Sequence, residues 1–97
     1  MEQLGSFLPG FLRSVAKDEE TALTFLDALW PEIVGQRLAA QCRPVSLKEE
    51  TLTVMVQTET WRNELMAMKS LMISAVKKFW GMQLVETIHF EVPLTDL

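Results

Sequence analysis

Residues 51–80 read TLTVMVQTETWRNELMAMKSLMISAVKKFW, and the hydrophobic period changes within them. Leu52, Val54 and Val56 alternate with Thr53, Met55 and Gln57. That period of two belongs to a strand with one buried face. After Thr58 the apolar positions become Trp61, Leu65, Met68, Met72, Val76 and Phe79. At about 100° per residue these form one stripe of a helix, and the spacing predicts a single long helix over 59–80. Thr58 is suited to its N-cap and Gly81 to its C′ position, with Lys77 and Lys78 complementing the C-terminal dipole. A second stripe, Met66, Ile73 and Trp80, follows at seven-residue spacing, and Asn63, Ser70, Ser74, Lys77 and Lys78 leave only a narrow polar sector. So apolar a helix needs cover on more than one side, from a sheet on one face and from N-terminal helices on the flank.

Working back from Thr51, Lys48-Glu49-Glu50 reads as a turn and Pro44–Leu47 as the outgoing strand of a β-hairpin, although Glu-Glu is not a strong turn signal. Working forward from Gly81, Leu84, Ile88, Phe90 and Val92 alternate with Val85, Thr87, His89 and Glu91, giving a third strand that Pro93 ends before a frayed tail, 93–97. Upstream, Asp18 suits an N-cap, and Ala22, Leu23, Leu26, Leu29 and Trp30 share one helical side with Phe25 at its edge. Pro31 is placed to open a new first turn, and Ile33, Val34, Leu38 and Ala39 carry a short helical pattern to about Gln41. Leu4, Phe7, Leu8, Phe11, Leu12 and Val15 repeat the helical spacing in residues 1–17, with a restart near Pro9-Gly10. The order is helices, hairpin, long helix, strand. A strand–helix–strand connection between parallel strands is a right-handed crossover. The expected fold is therefore α+β and KH-like: a three-stranded mixed sheet with the long helix on one face, one domain over 1–97 with its core at about 20–92.

Composition narrows the function classes. The 97 residues suffice for one domain, and 48% hydrophobic against 23% charged residues is the balance of a globular chain, not of a disordered one. The single cysteine, Cys42, excludes an internal disulfide framework. Glu2 and Gln3 precede Leu4, so no basic signal-peptide n-region is expected. With no apolar run of membrane-spanning length either, cytoplasmic residence is the default. One histidine and one cysteine fall short of a structural zinc site, and neither a P-loop nor a nucleophile elbow is present. We therefore expect no catalytic residues, no metal and no cofactor, and a protein that binds instead of catalysing. The formal net charge of −4 disfavours tight nucleic-acid binding, yet the charge is uneven, with seven bases against four acids in residues 37–80.

Arg37, Arg43, Arg62 and Lys69 are the candidates for a nucleic-acid-contacting surface. Arg62 and Lys69 lie about 20° apart on an ideal helix, beside the Met66/Ile73/Trp80 flank. Basic groups next to apolar and aromatic ones can track a phosphate backbone and stack a base, and the same stems can also snorkel over a core edge. Trp30 and Trp61 suit either partner hot spots or core anchors, and their place in buried stripes favours anchors. Gly35 reads as a close-packing point or a break between turns. His89 and Cys42 read as a surface or half-buried histidine and a small buried hydrophobe. Phe7, Leu8, Phe11 and Leu12 could cover the long helix's flank or dock on a partner or a second copy.

Two ordered motifs carry a resemblance. Trp30-Pro31-Glu32-Ile33-Val34-Gly35-Gln36-Arg37-Leu38-Ala39 has the form W-x-x-I-V-G-x-x-L-A, and Leu52 to Leu65 has the form L-x-V-x-V-x-(S/T)-x-x-W-x-x-E-L, including Thr58, Trp61, Glu64 and Leu65. With the closing Ile88-His89-Phe90, the chain resembles the DciA family of bacterial replicative-helicase loaders over roughly residues 20–92. The resemblance implies a KH-like domain that binds the replicative DNA helicase and assists its loading or operation on DNA, with DNA itself a second, weaker partner. It marks Trp30, Ile33, Val34, Gly35, Trp61, Glu64 and Leu65 as family-motif positions. The chain has no G-x-x-G loop for phosphate clamping of the KH type. The alternative reading is a KH-like nucleic-acid-binding module without a helicase partner.

Overall fold

The computed structural model describes residues 18–93. The N-terminal stripe from Leu4 to Val15 and most of the tail lie outside the described residues. Helix α1 (Glu19–Val34) begins at Asp18, whose carboxylate accepts a hydrogen bond from the Glu20 N–H at 3.2 Å and one from the Thr21 hydroxyl at 2.6 Å. Ala22, Leu26, Trp30 and Ile33 form its buried face.

The expected new start at Pro31 is corrected: α1 runs through the proline to Val34. Proline removes only one backbone bond there, to the carbonyl four residues back, and the last turn still closes through the Gly35 N–H to the Pro31 carbonyl at 2.9 Å. The break falls at Gly35, whose φ of 95° and ψ of 152° are open essentially to glycine alone. A Cβ there would meet nothing within 4 Å, so backbone conformation, not close packing, requires the glycine. One turn of helix, α2 (Gln36–Ala39), then leads into the sheet.

Strands β1 (Cys42–Lys48) and β2 (Thr51–Val56) form an antiparallel hairpin, and β3 (Thr87–Glu91) pairs parallel to β2, giving the order β1-β2-β3. The α+β mixed sheet expected from the sequence is thus present. The register shifts between Pro44 and Ser46, leaving Val45 as an extra, exposed residue. A proline that cannot donate to a ladder is accommodated beside a bulge on an edge strand. Leu52, Val54, Val56, Ile88 and Phe90 point to one face and are buried. Thr53, Met55, His89 and Glu91 share the opposite register, and both His89 and Glu91 are exposed.

The hairpin closes through Glu49 and Glu50, with φ of 50° and 64°. Two consecutive left-handed residues make the turn that matches strand twist, normally filled by Asn-Gly. Polar contacts hold the strained glutamates in place. The Glu49 N–H donates to Glu19 Oε2 at 2.6 Å, and the Glu50 carbonyl accepts from the Glu86 N–H at 2.7 Å.

The long helix between β2 and β3 is present as two segments, α3 (Glu59–Ala67) and α4 (Lys69–Trp80), hinged at Met68 (φ −101°, ψ 8°). Thr58 caps α3, its hydroxyl accepting from the Trp61 N–H at 3.1 Å. Gly81 closes α4 in the left-handed conformation, its N–H reaching the Lys77 carbonyl at 2.8 Å. No proline or glycine causes the hinge. It lets α3 lie against β2 and β3 while α4 lies against α1 and β3. Leu65, Met72 and Val76 of the expected stripe are buried, with Trp61, Met68 and Phe79 packed half-buried against them. The expected flank stripe splits: Met66 is 51% exposed, whereas Trp80 is fully buried in one cluster with Leu84 and Val85 of the segment leading to β3. Among the described residues, no helix is long and apolar enough to cross a membrane.

Candidate partner-binding surface

Both motif tryptophans serve the core first. Trp30 is 1% exposed, and Trp61 is half-buried against the core. Trp30 packs near Cys42, whose thiol donates to the Leu38 carbonyl at 3.3 Å. Burial pushes the Cys42 pKa up, and the adjacent Trp30 side chain pulls weakly the other way. A thiol raised above its ordinary value is protonated and unreactive at neutral pH. Ile33 and Leu65 are buried, Val34 is half-buried, Gly35 is the break between α1 and α2, and Glu64 is exposed. Of the seven motif positions, Glu64 alone therefore presents its side chain fully to solvent.

The four basic candidates do not form one track. Arg43 lies on β1, one edge of the sheet, and is exposed. Its guanidinium reaches Asp27 of α1 at 3.4 Å. Arg37 stands exposed on α2, which leads into that strand. Arg62 and Lys69 lie beside the other edge, on α3 and α4, so β2 separates the two pairs, a gap of about 10 Å across the sheet. Arg62 is half-buried. Its Nε donates to the Phe90 carbonyl of β3 at 3.4 Å, and its Nη1 faces Glu59 at 3.5 Å. Its stem thus ties α3 to the outer strand while its charge is shared with an acid.

Around Arg62 lies a shallow groove of 110 Å³ between the helix hinge and β3, lined by Arg62, Met66, Lys69, Ile88, His89 and Phe90. The expected neighbourhood of Arg62 and Lys69 is therefore real, with Met66 between them and Ile73 and Trp80 elsewhere. His89 lines the groove beyond what the helical spacing could show. Its place on the polar register of β3 was legible, but its meeting with Arg62 depends on how α3 crosses the sheet. His89 Nε2 lies 3.4 Å from Glu91 Oε2, an ion pair only when the imidazole is protonated. The groove thus sets Arg62, Lys69 and His89 around an exposed thioether, with Glu59 and Glu91 facing two of them from outside its lining. Such a surface suits the mixed chemistry of a protein interface, where methionine and arginine are enriched, better than a continuous phosphate track. Among the described residues, no three His, Cys, Asp or Glu side chains come together as metal ligands.

Comparison with known proteins adds one finding. The family profile described as "Dna[CI] antecedent, DciA" matches residues 3–90. No curated protein matches the chain.

Proposed function

The chain belongs to the DciA family, and from that premise we propose that it is an adaptor of DNA-replication initiation that binds the replicative helicase and assists its loading or operation on DNA. The single observation that carries this reading is the family match running from residue 3 to residue 90, through both tryptophan motifs. The protein acts by binding alone, without catalysis, and works in the cytoplasm, where replication takes place. The groove at Arg62, Met66 and Lys69 is the surface we assign to the helicase. An exposed methionine flanked by half-buried cations supplies the apolar centre and polar rim of a protein contact. DNA contact is secondary, because Arg43 and Arg62 each face an acid. The second reading, a KH-like nucleic-acid module without a helicase, draws on the same groove, where the cations Arg62 and Lys69 stand beside the exposed His89 ring.

The test is a titration of the chain against the replicative helicase of its own source, with and without single-stranded DNA, at low and physiological salt. Saturable helicase binding that survives physiological salt, and that drops at least about tenfold (1.4 kcal/mol) in the Met66→Glu/Lys69→Glu variant, is the expected result. Salt-sensitive oligonucleotide binding with no helicase affinity selects the second reading.

A further inference from the structure

Among the described residues the sheet ends at β3, and the groove at the helix hinge lies against that end. Parity along the strand decides which backbone groups face it. The Thr87 N–H donates inward, to the carbonyl of Glu50 just before β2, at 3.3 Å. In a parallel ladder, alternate residues spend both N–H and C=O on the neighbouring strand. Thr87, His89 and Glu91 therefore face β2, and Ile88 and Phe90 turn their N–H and C=O outward. Arg62 agrees with that direction, since its Nε–H reaches the Phe90 carbonyl from α3 at 3.4 Å. The other three outward groups, the Ile88 N–H and C=O and the Phe90 N–H, find no partner among the described residues.

Ile88 is 2% exposed and Phe90 5%, and buried backbone groups in folded chains are paired in the great majority of cases. An edge left unpaired is a template for a further strand. Its pattern sets donor beside acceptor, which another peptide backbone matches. A phosphate backbone, which offers acceptors, leaves the Ile88 carbonyl unanswered. The groove is walled by Arg62, Met66 and Lys69, long flexible side chains that can swing clear of the edge. Arg62 faces Glu59 and His89 faces Glu91, but Lys69 faces no acid among the described residues. An unopposed ammonium beside an unpaired strand edge selects a segment that is both extended and acidic. Laid along β3, such a segment turns every second side chain to the helix side, where a carboxylate meets Lys69.

We infer that the outer edge of β3 takes up an extended acidic peptide segment as a fourth strand, its backbone paired with Ile88 and Phe90 and a carboxylate set against Lys69. This rests on the assignment of the groove to a protein partner and names what that partner presents. The test is a nitrogen–proton correlation titration of the full chain with a blocked hexapeptide of alternating valine and glutamate. The Ile88 and Phe90 amide protons should move downfield and exchange more slowly, while His89, already in the ladder, changes little. Lys69→Glu should weaken the peptide about tenfold with the rest of the spectrum unchanged. Ile88 and Phe90 amides that do not respond overturn the inference. So does an equal response to a valine–lysine hexapeptide, or a response to single-stranded oligonucleotide alone, which gives the edge to nucleic acid. The peptide arm needs no helicase. A chain that pairs with the peptide and not with the helicase therefore loses the helicase reading and keeps this one. A chain that binds the helicase while both amides ignore the peptide does the reverse.

Discussion

At the scale of single residues, three positions hold conformations that their neighbours must enforce. Gly35 is the only residue type that fits φ 95° and ψ 152° without strain. Gly35→Ala should lower stability by about 1–3 kcal/mol, read as a fall in the urea midpoint at unchanged slope. Free space at its Cβ means that no clash contributes, so serine should cost about as much as alanine. Glu49 and Glu50 are the opposite case, with side chains in left-handed geometry that Asn-Gly adopts more readily. Glu49→Asn/Glu50→Gly should raise stability by about 1 kcal/mol, because the bonds that hold the turn to Glu19 and Glu86 use backbone atoms of residues 49 and 50. A thermal melt that fails to rise would show that the side chains contribute more than the strain costs. The glycine was legible in the sequence as a break, but the left-handed glutamates were not, since nothing local favours them.

At the scale of elements, the caps read from sequence are the caps observed. Asp18, Thr58 and Gly81 each make the hydrogen bond their position predicts. Asp18 also makes a pH prediction. The Thr21 hydroxyl, with the backbone N–H groups of Glu20 and Thr21, holds its carboxyl below the ordinary 3.8 despite partial desolvation. A lowered folded pKa means the cap's contribution is complete above the unfolded value and is lost as pH falls through the folded one. Stability should therefore fall with acid below about pH 4, and Asp18→Asn should flatten that part of the curve relative to the parent. The hinge at Met68 was not legible. The sequence there has continuous helical spacing and no breaker, and the turn tightens where α3, packed on β2 and β3, gives way to α4, packed on α1 and β3.

At the scale of the whole molecule, charge placement sets what the surface can bind. Basic candidates at two sheet edges, two of them facing acids, offer DNA only one or two unopposed phosphate contacts through Arg37 and Lys69. Oligonucleotide affinity should therefore fall with salt at a logarithmic slope of about −1 to −2. A slope of −5 or steeper would mean that the acidic partners give way and that the four cations act together with others.

The sequence by itself determined the order of elements, the mixed sheet, the core faces and the family. These follow from hydrophobic period and from end signals, both local properties of the chain. Tertiary structure alone decided that the helix bends at Met68 and that Trp80 turns inward while Met66 stays out. It also decided that Arg62 meets Phe90 and His89 across the edge of β3. Those outcomes depend on how elements distant in sequence cross and compete for one core, and periodicity along the chain carries no record of crossing geometry.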